Sequence, residues 1–216
     1  MNIFQLQQQL SIAQSILAQL RDPDIQQDRM RFRRNLERIA EAIAYEISKE
    51  LPSVVVKTET PLGIHESKVL AQQPVLATIL RAGLPMHNGL LNYFDKADSA
   101  FVSAYRKHTT HEEFDVHVEY MAAPQLDNRT LIISDPMLAT GKSMALVYKA
   151  LVKQGKPSRV IVVSAIATPL SLDFLKSQLP DTTEYYLGAI DEELTAQYYI
   201  VPGLGDAGDL AYGEKC

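Results

Sequence analysis

The sequence predicts an α/β protein built on a largely parallel sheet flanked by helices. Two helix-periodic segments open the chain, several short apolar runs without polar alternation follow, and helical segments separate several of those runs. Uninterrupted β-branched runs are what strands buried on both faces of a parallel sheet require, and alternation of strand with helix gives the class.

Taken in order, Phe4, Leu6, Leu10, Ile12, Ile16, Leu17 and Leu20 recur with a helical period until Asp22-Pro23 interrupts it. Leu36, Ile39, Ala40, Ile43, Ile47 and Leu51 carry a second amphipathic helix, from about Asp24 to Pro52. Strands are expected at Val54–Val56, Val75–Leu80, Ala100–Tyr105, Leu131–Ile133, Val160–Ile166 and Tyr185–Ile190. Helices are expected between some of them, at Leu84–Tyr93, Lys142–Gln154 and Leu170–Leu179. Phe114 to Tyr120 alternates and reads as one arm of a hairpin. Val201-Pro-Gly-Leu-Gly-Asp-Ala-Gly-Asp209 is loop chemistry.

At 216 residues, with no repeat and no Gly/Ser-rich boundary, one domain over residues 1–216 is expected. The 21 basic and 26 acidic side chains leave a net charge of −5, which disfavours nucleic acid as a partner. Cys216 is the sole cysteine, so no intrachain disulfide forms and a thiolate zinc site is excluded. The opening residues lack a basic n-region, and no run approaches the roughly 18 apolar residues of a membrane span. We therefore expect a cytoplasmic protein with no membrane partner.

The chemistry concentrates in Leu131-Ile-Ile-Ser-Asp-Pro-Met-Leu-Ala-Thr-Gly-Lys-Ser143, a strand running through a loop into a helix. Unpaired N–H groups of a first helical turn and the helix dipole favour a phosphate there, Gly141 permits close backbone approach, and Thr140 and Ser143 add hydroxyls. Asp135 falls at the carboxyl end of a strand, where open α/β sheets bind ligands. Gly141-Lys142-Ser143 also matches the end of a P-loop, but Pro136 stands where that motif needs its first glycine. Proline has no N–H and cannot take positive φ, so a P-loop nucleotidase is the weaker reading.

The unit Asp135-Pro-Met-Leu-Ala-Thr-Gly-Lys-Ser143 resembles the phosphoribosyl-diphosphate loop of uracil phosphoribosyltransferases, departing where Lys142 replaces the usual glycine. Ile79-Leu-Arg-Ala-Gly-Leu84 resembles the family's diphosphate-side loop, and Tyr105-Arg106 its second arginine site. Ile190-Asp-Glu-Glu-Leu194 and Tyr199-Ile-Val-Pro-Gly-Leu-Gly-Asp-Ala-Gly-Asp209 resemble its uracil-binding tail. Leu20-Arg-Asp22 and Ala44-Tyr-Glu-Ile47 extend the likeness over nearly the whole chain.

The resemblance implies the type I phosphoribosyltransferase fold, with N-terminal helices and a C-terminal base-binding loop over the cleft. It implies transfer of the phosphoribosyl group from 5-phospho-α-D-ribose 1-diphosphate to uracil, giving UMP and diphosphate. Asp135, Arg81 and Arg106 are the expected catalytic groups. Pro136, Met137, Leu138, Ala139, Thr140, Gly141, Lys142 and Ser143 form the phosphate loop, and Ile200, Gly205, Asp206 and Ala207 border the base and donor. Magnesium would come with the diphosphate rather than on a protein ligand set. A homo-oligomer is expected, and a GTP effector is left open. His108, His111, Glu112, Asp115 and His117 invite a metal-site reading, but without rigid helical spacing a solvated loop is preferred. An RNA-binding regulator on the same scaffold is the non-catalytic alternative, and the acidic balance argues against it.

Overall fold

The computed structural model describes residues 2–110 and 113–214, with side chains throughout except at 104–110 and 113–117. In chain order, β1 (Asn2–Gln5) leads into α1 (Ile12–Arg21) and α2 (Arg29–Lys49). Ser11 caps α1 by accepting from Ala13 N, and Asp28 caps α2 by accepting from Arg31 N, which satisfies donors that each first turn leaves unpaired. Then come β2 (Ser53–Thr60), β3 (Gly63–Leu70), β4 (Val75–Leu80), α3 (Leu84–Leu91), β5 (Asp98–Thr110) and β6 (Glu113–Ala122). The second half adds β7 (Thr130–Ser134), β8 (Met137–Leu138), α4 (Lys142–Leu151), β9 (Arg159–Ala167), α5 (Pro169–Gln178) and β10 (Glu184–Ile190). Short β11 (Glu193–Leu194), β12 (Ile200–Val201) and α6 (Ala207–Tyr212) close it.

The main sheet runs β1-β10-β9-β7-β4-β5-β6, with β8 joined to β9, and its strands pair in parallel except β5 with β6. Successive residues of one strand enter opposite layers. Ile161 and Val163 pack with Leu36, Ile39 and Ile43 of α2, while Val160 and Val162 pack with Met144 and Val147 of α4 and Leu172 and Leu175 of α5. That two-sided burial is why β4, β7 and β9 read as continuous apolar runs. From β4 the chain continues to β5 on one side, and from β7 it continues to β9 on the other. The crevice at the carboxyl ends of β4 and β7 is therefore the topological switch point, the place where such sheets bind ligands.

Four expectations need correction. Asn2–Gln5 is not helical but a parallel edge strand beside Glu184–Leu187 of β10. The sheet backbone partners it finds there are remote in sequence, and Leu10 and Ile12 of the supposed apolar stripe are 98% and 69% exposed. Val54–Val56 is a strand, as expected, but not one buried in the parallel sheet; β2 and β3 form a separate antiparallel hairpin with Val54, Val55, Leu62 and Ile64 exposed. The tail is not all loop, because Asp206 caps α6 by accepting from Gly208 N and Asp209 N. Where the segment after Arg106 is described, its backbone is the β5–β6 hairpin rather than a loop. His111 and Glu112, and the side chains of His108, Asp115 and His117, lie outside the described residues. No helix among the described residues is long and apolar enough to cross a membrane.

Candidate active site

At the switch point, β7 ends in Ser134 and the chain passes through Asp135 and Pro136 into β8, then through Ala139, Thr140 and Gly141 into α4. The path is fixed by β9 and by Thr168, the residue between β9 and α5. Asp135 N donates to Val163 O, Ile166 N to Pro136 O, and Thr168 N to Leu138 O, each at 3.1 Å. The Thr168 hydroxyl donates to Ala139 O at 2.7 Å and accepts from Ser171 N at 3.1 Å. The Ala139 carbonyl is thereby satisfied within the fold and held on Thr168.

Gly141 sits at φ +74° as the residue before α4. A Cβ there would lie 2.9 Å from both Ser171 O and the Leu175 Cγ, so neither the backbone angle nor the space admits a side chain. Lys142 begins α4, as its place after Gly141 suggests. Its N–H is 3.5 Å from the Thr140 Oγ1 and its side chain is exposed. Gly83 at the tip of β4 is equally confined, since a Cβ would fall 2.2 Å from the Thr78 Oγ1.

A cleft of about 450 Å³ opens here. It gathers Asp135, Met137, Leu138, Ala139, Thr140, Gly141 and Ser143 on one wall, and Ile200 and Asp206 on the other. So both predicted loops face one space. Pro136 is buried beneath the loop, Lys142 does not line the cleft, and Ala207 is fully buried in the core. Gly205 borders an adjoining depression with Gln26, Arg29 and Asp209. Arg81 is drawn toward the C-terminus: one guanidinium nitrogen lies 3.1 Å from Gly213 O and 3.4 Å from Asp209 Oδ1. Arg106 is in β5, in register with Val116, and its side chain lies outside the described ones.

The helix α6 beside Arg81 is itself anchored on α2. Arg33 donates to Ala211 O at 2.7 Å and lies over the Tyr212 ring. Burial raises the Tyr212 hydroxyl above its ordinary pKa despite the pull of Arg33 and Arg81, so it stays neutral near pH 7.

A family model described as uracil phosphoribosyltransferase matches residues 7–214. The chain belongs to the uracil phosphoribosyltransferase family. A uracil phosphoribosyltransferase of Porphyromonas gingivalis is 51% identical, with all of both chains covered. One from Pyrococcus furiosus is 38% identical over 92% of this chain and 85% of its own. Among solved structures, a protein of Aquifex aeolicus superposes with a TM-score of 0.86 at 28% identity, covering 98% of each chain. A hypoxanthine phosphoribosyltransferase of Staphylococcus aureus, at 14% identity, TM-score 0.50 and 74% of each chain, shares the fold. The type I phosphoribosyltransferase arrangement expected from the sequence is the one the chain adopts.

Sequence reasoning passed over Met144, Gln197 and Tyr198 in the cleft lining, while Ala82 and Tyr199 stand in quoted motifs without a role of their own. Gln197 to Tyr199 form the turn between β11 and β12, where the Thr195 Oγ1 accepts from Gln197 N and Tyr199 N, and Tyr198 takes φ +63°. Two adjacent tyrosines just before a glycine-rich loop were the available signal, since aromatic side chains kept at a loop's surface commonly face a planar ligand.

Proposed function

We propose that this cleft transfers the phosphoribosyl group of 5-phospho-α-D-ribose 1-diphosphate to uracil. The observation that carries the reading is the convergence of the Asp135–Ser143 loop and the Ile200–Asp206 segment on one space at the sheet's switch point. The donor's 5-phosphate is held by the N–H groups opening α4 and by the hydroxyls of Thr140 and Ser143. Asp135 takes the ribose hydroxyls and faces the positive charge that develops on the ribose ring. Arg81 and Arg106 take the departing diphosphate, which requires the Arg81 guanidinium to exchange its present acceptors, Gly213 O and Asp209, for the ligand.

Uracil packs against Ile200, its edge read by main-chain groups around Gly205 and Asp206, with N1 aligned on the anomeric carbon. The new N1–C1 bond forms as the C1–O bond to diphosphate breaks, the bonding pair leaves with diphosphate, and the N1 proton passes to water. Asp135 and Asp206, carboxylates lining the cleft, are hard oxygen donors that fit magnesium arriving on the diphosphate. That ion supplies charge neutralisation to the leaving group. The whole chain acts as one domain, and the exposed β2–β3 hairpin supports assembly as a homo-oligomer, because an isolated two-stranded hairpin is marginal in water.

The assay is formation of UMP from uracil, the donor and magnesium, run beside cytosine and hypoxanthine. A main-chain N–H that donates to O4 of uracil meets the amino group of cytosine donor against donor. Uracil is expected to be used at least about 100-fold more efficiently than cytosine, the scale set by the cost of about 1–3 kcal/mol for a buried polar group left unpaired. Comparable turnover of cytosine would overturn the base reading.

A further inference from the structure

The segment that closes the base side of the cleft takes much of its support from side chains remote in sequence. Gly203, at φ +63°, turns so sharply that a Cβ would meet Ile200 O at 2.0 Å. Its N–H donates to Asp191 Oδ2 at 2.9 Å, and its carbonyl accepts from Arg21 Nη1 at 2.9 Å. Arg21 also holds both oxygens of Asp191, Nη1 to Oδ2 at 2.7 Å and Nη2 to Oδ1 at 2.8 Å. The carbonyl of Leu204 accepts from the Gln26 Nε2 at 3.4 Å, and that amide also donates to Leu20 O at 3.0 Å. Asp191 is 6% exposed and is seated at the end of β10 by its N–H on Ala167 O.

The carbonyls of Gly203 and Leu204 are thus gripped from the last turn of α1 and the residues after it, and the Gly203 N–H from the end of β10. We infer that Arg21 and Asp191, assisted by Gln26, are positioning residues for the pyrimidine: they set the orientation of the peptide planes that run into Gly205 and Asp206. A glycine-rich loop otherwise samples many backbone states, each binding event would have to select one, and apparent affinity for the base would fall with the competent fraction. A planar guanidinium bridging a carboxylate and a carbonyl is suited to this because its donors are fixed relative to one another. The inference rests on the reading that the Ile200–Ala207 segment holds the base.

A plain structural tie between α1 and β10 predicts lower melting temperature and no preference between substrates. Positioning predicts a split. In steady-state kinetics with each substrate varied, Arg21→Lys and Asp191→Asn are expected to raise the uracil KM about tenfold or more while the donor KM stays within about twofold, a loss of roughly 1.4 kcal/mol confined to the base. Gln26→Leu, which leaves the Arg21–Asp191 ion pair untouched, is expected to raise the uracil KM about threefold. Gly205→Ala, at φ +84°, perturbs the loop directly and serves as reference. Equal changes in both KM values, or a fall in melting temperature with neither KM moved, would overturn the positioning role. If Gly205→Ala raises the uracil KM and the three clamp variants do not, the clamp alone fails. If Gly205→Ala leaves it unchanged, the base-site reading fails and the clamp falls with it.

Discussion

The two walls of the cleft are held in different ways. The wall proposed to hold the phosphate, Asp135 to Ser143, is tied by main-chain hydrogen bonds to β9 and by Thr168 at the start of α5, so it is continuous with the sheet. The wall proposed to hold the base, Ile200 to Asp206, has a two-residue strand pairing, Glu193 with Val201 and Leu194 with Ile200, and is otherwise gripped by Arg21, Gln26 and Asp191. A wall made of backbone can bind a ligand with no side-chain identity of its own, such as a phosphate. A wall tuned by side chains can be adjusted to one base without disturbing the sheet, which is where selectivity is expected to reside.

Substitutions that reach only one wall break this comparison most cleanly. Gly141→Ala puts a methyl group against Ser171 O and Leu175 at a positive φ, combining left-handed strain of about 1–2 kcal/mol with a backbone clash. UMP affinity is expected to fall about 100-fold, or ~2.7 kcal/mol, by calorimetric titration. An affinity within a few fold would mean the phosphate does not sit on this loop. Thr168→Val removes the hydroxyl that holds Ala139 O and caps α5. A loss of about 1–1.5 kcal/mol is expected, seen as a roughly tenfold rise in donor KM with uracil KM level and largely reversed in Thr168→Ser. A uracil KM that rises in step would show that the walls are mechanically coupled.

Lys142→Gly is the smallest change expected. The lysine supplies its N–H at the start of α4 while its side chain is exposed, and lysine's rotamer entropy opposes fixing it on a phosphate already met by N–H donors. Activity should stay within about threefold and the salt dependence of UMP binding should soften slightly. A loss of about tenfold in UMP affinity would instead reveal a direct ammonium contact.

The same contrast governs what the sequence made legible. The phosphate wall is a local motif: strand, aspartate, glycine and helix start come one after another, and the residues expected to line the cleft there do so except Pro136 and Lys142. Buried β4, β7 and β9 were equally legible, because burial on both faces leaves an uninterrupted apolar run. Asn2–Gln5 was misread because an edge strand is decided by its partner β10, far along the chain, while Phe4 and Leu6 happened to fall on a helical period. Val54–Val56 has the composition of a sheet strand, and nothing local tells that its partner is β3 alone. The proposed base wall is suggested by resemblance alone, while the bonds that hold it, from Arg21 to Asp191 and Gly203, join residues that no spacing rule connects.

The most direct test of the two-wall account is the structure with UMP bound. The 5-phosphate is expected within hydrogen-bond distance of the N–H groups between Ala139 and Ser143, and the uracil ring between Ile200 and the Gly205–Asp206 backbone. A phosphate on that loop with the base turned away from the Ile200 segment would contradict it.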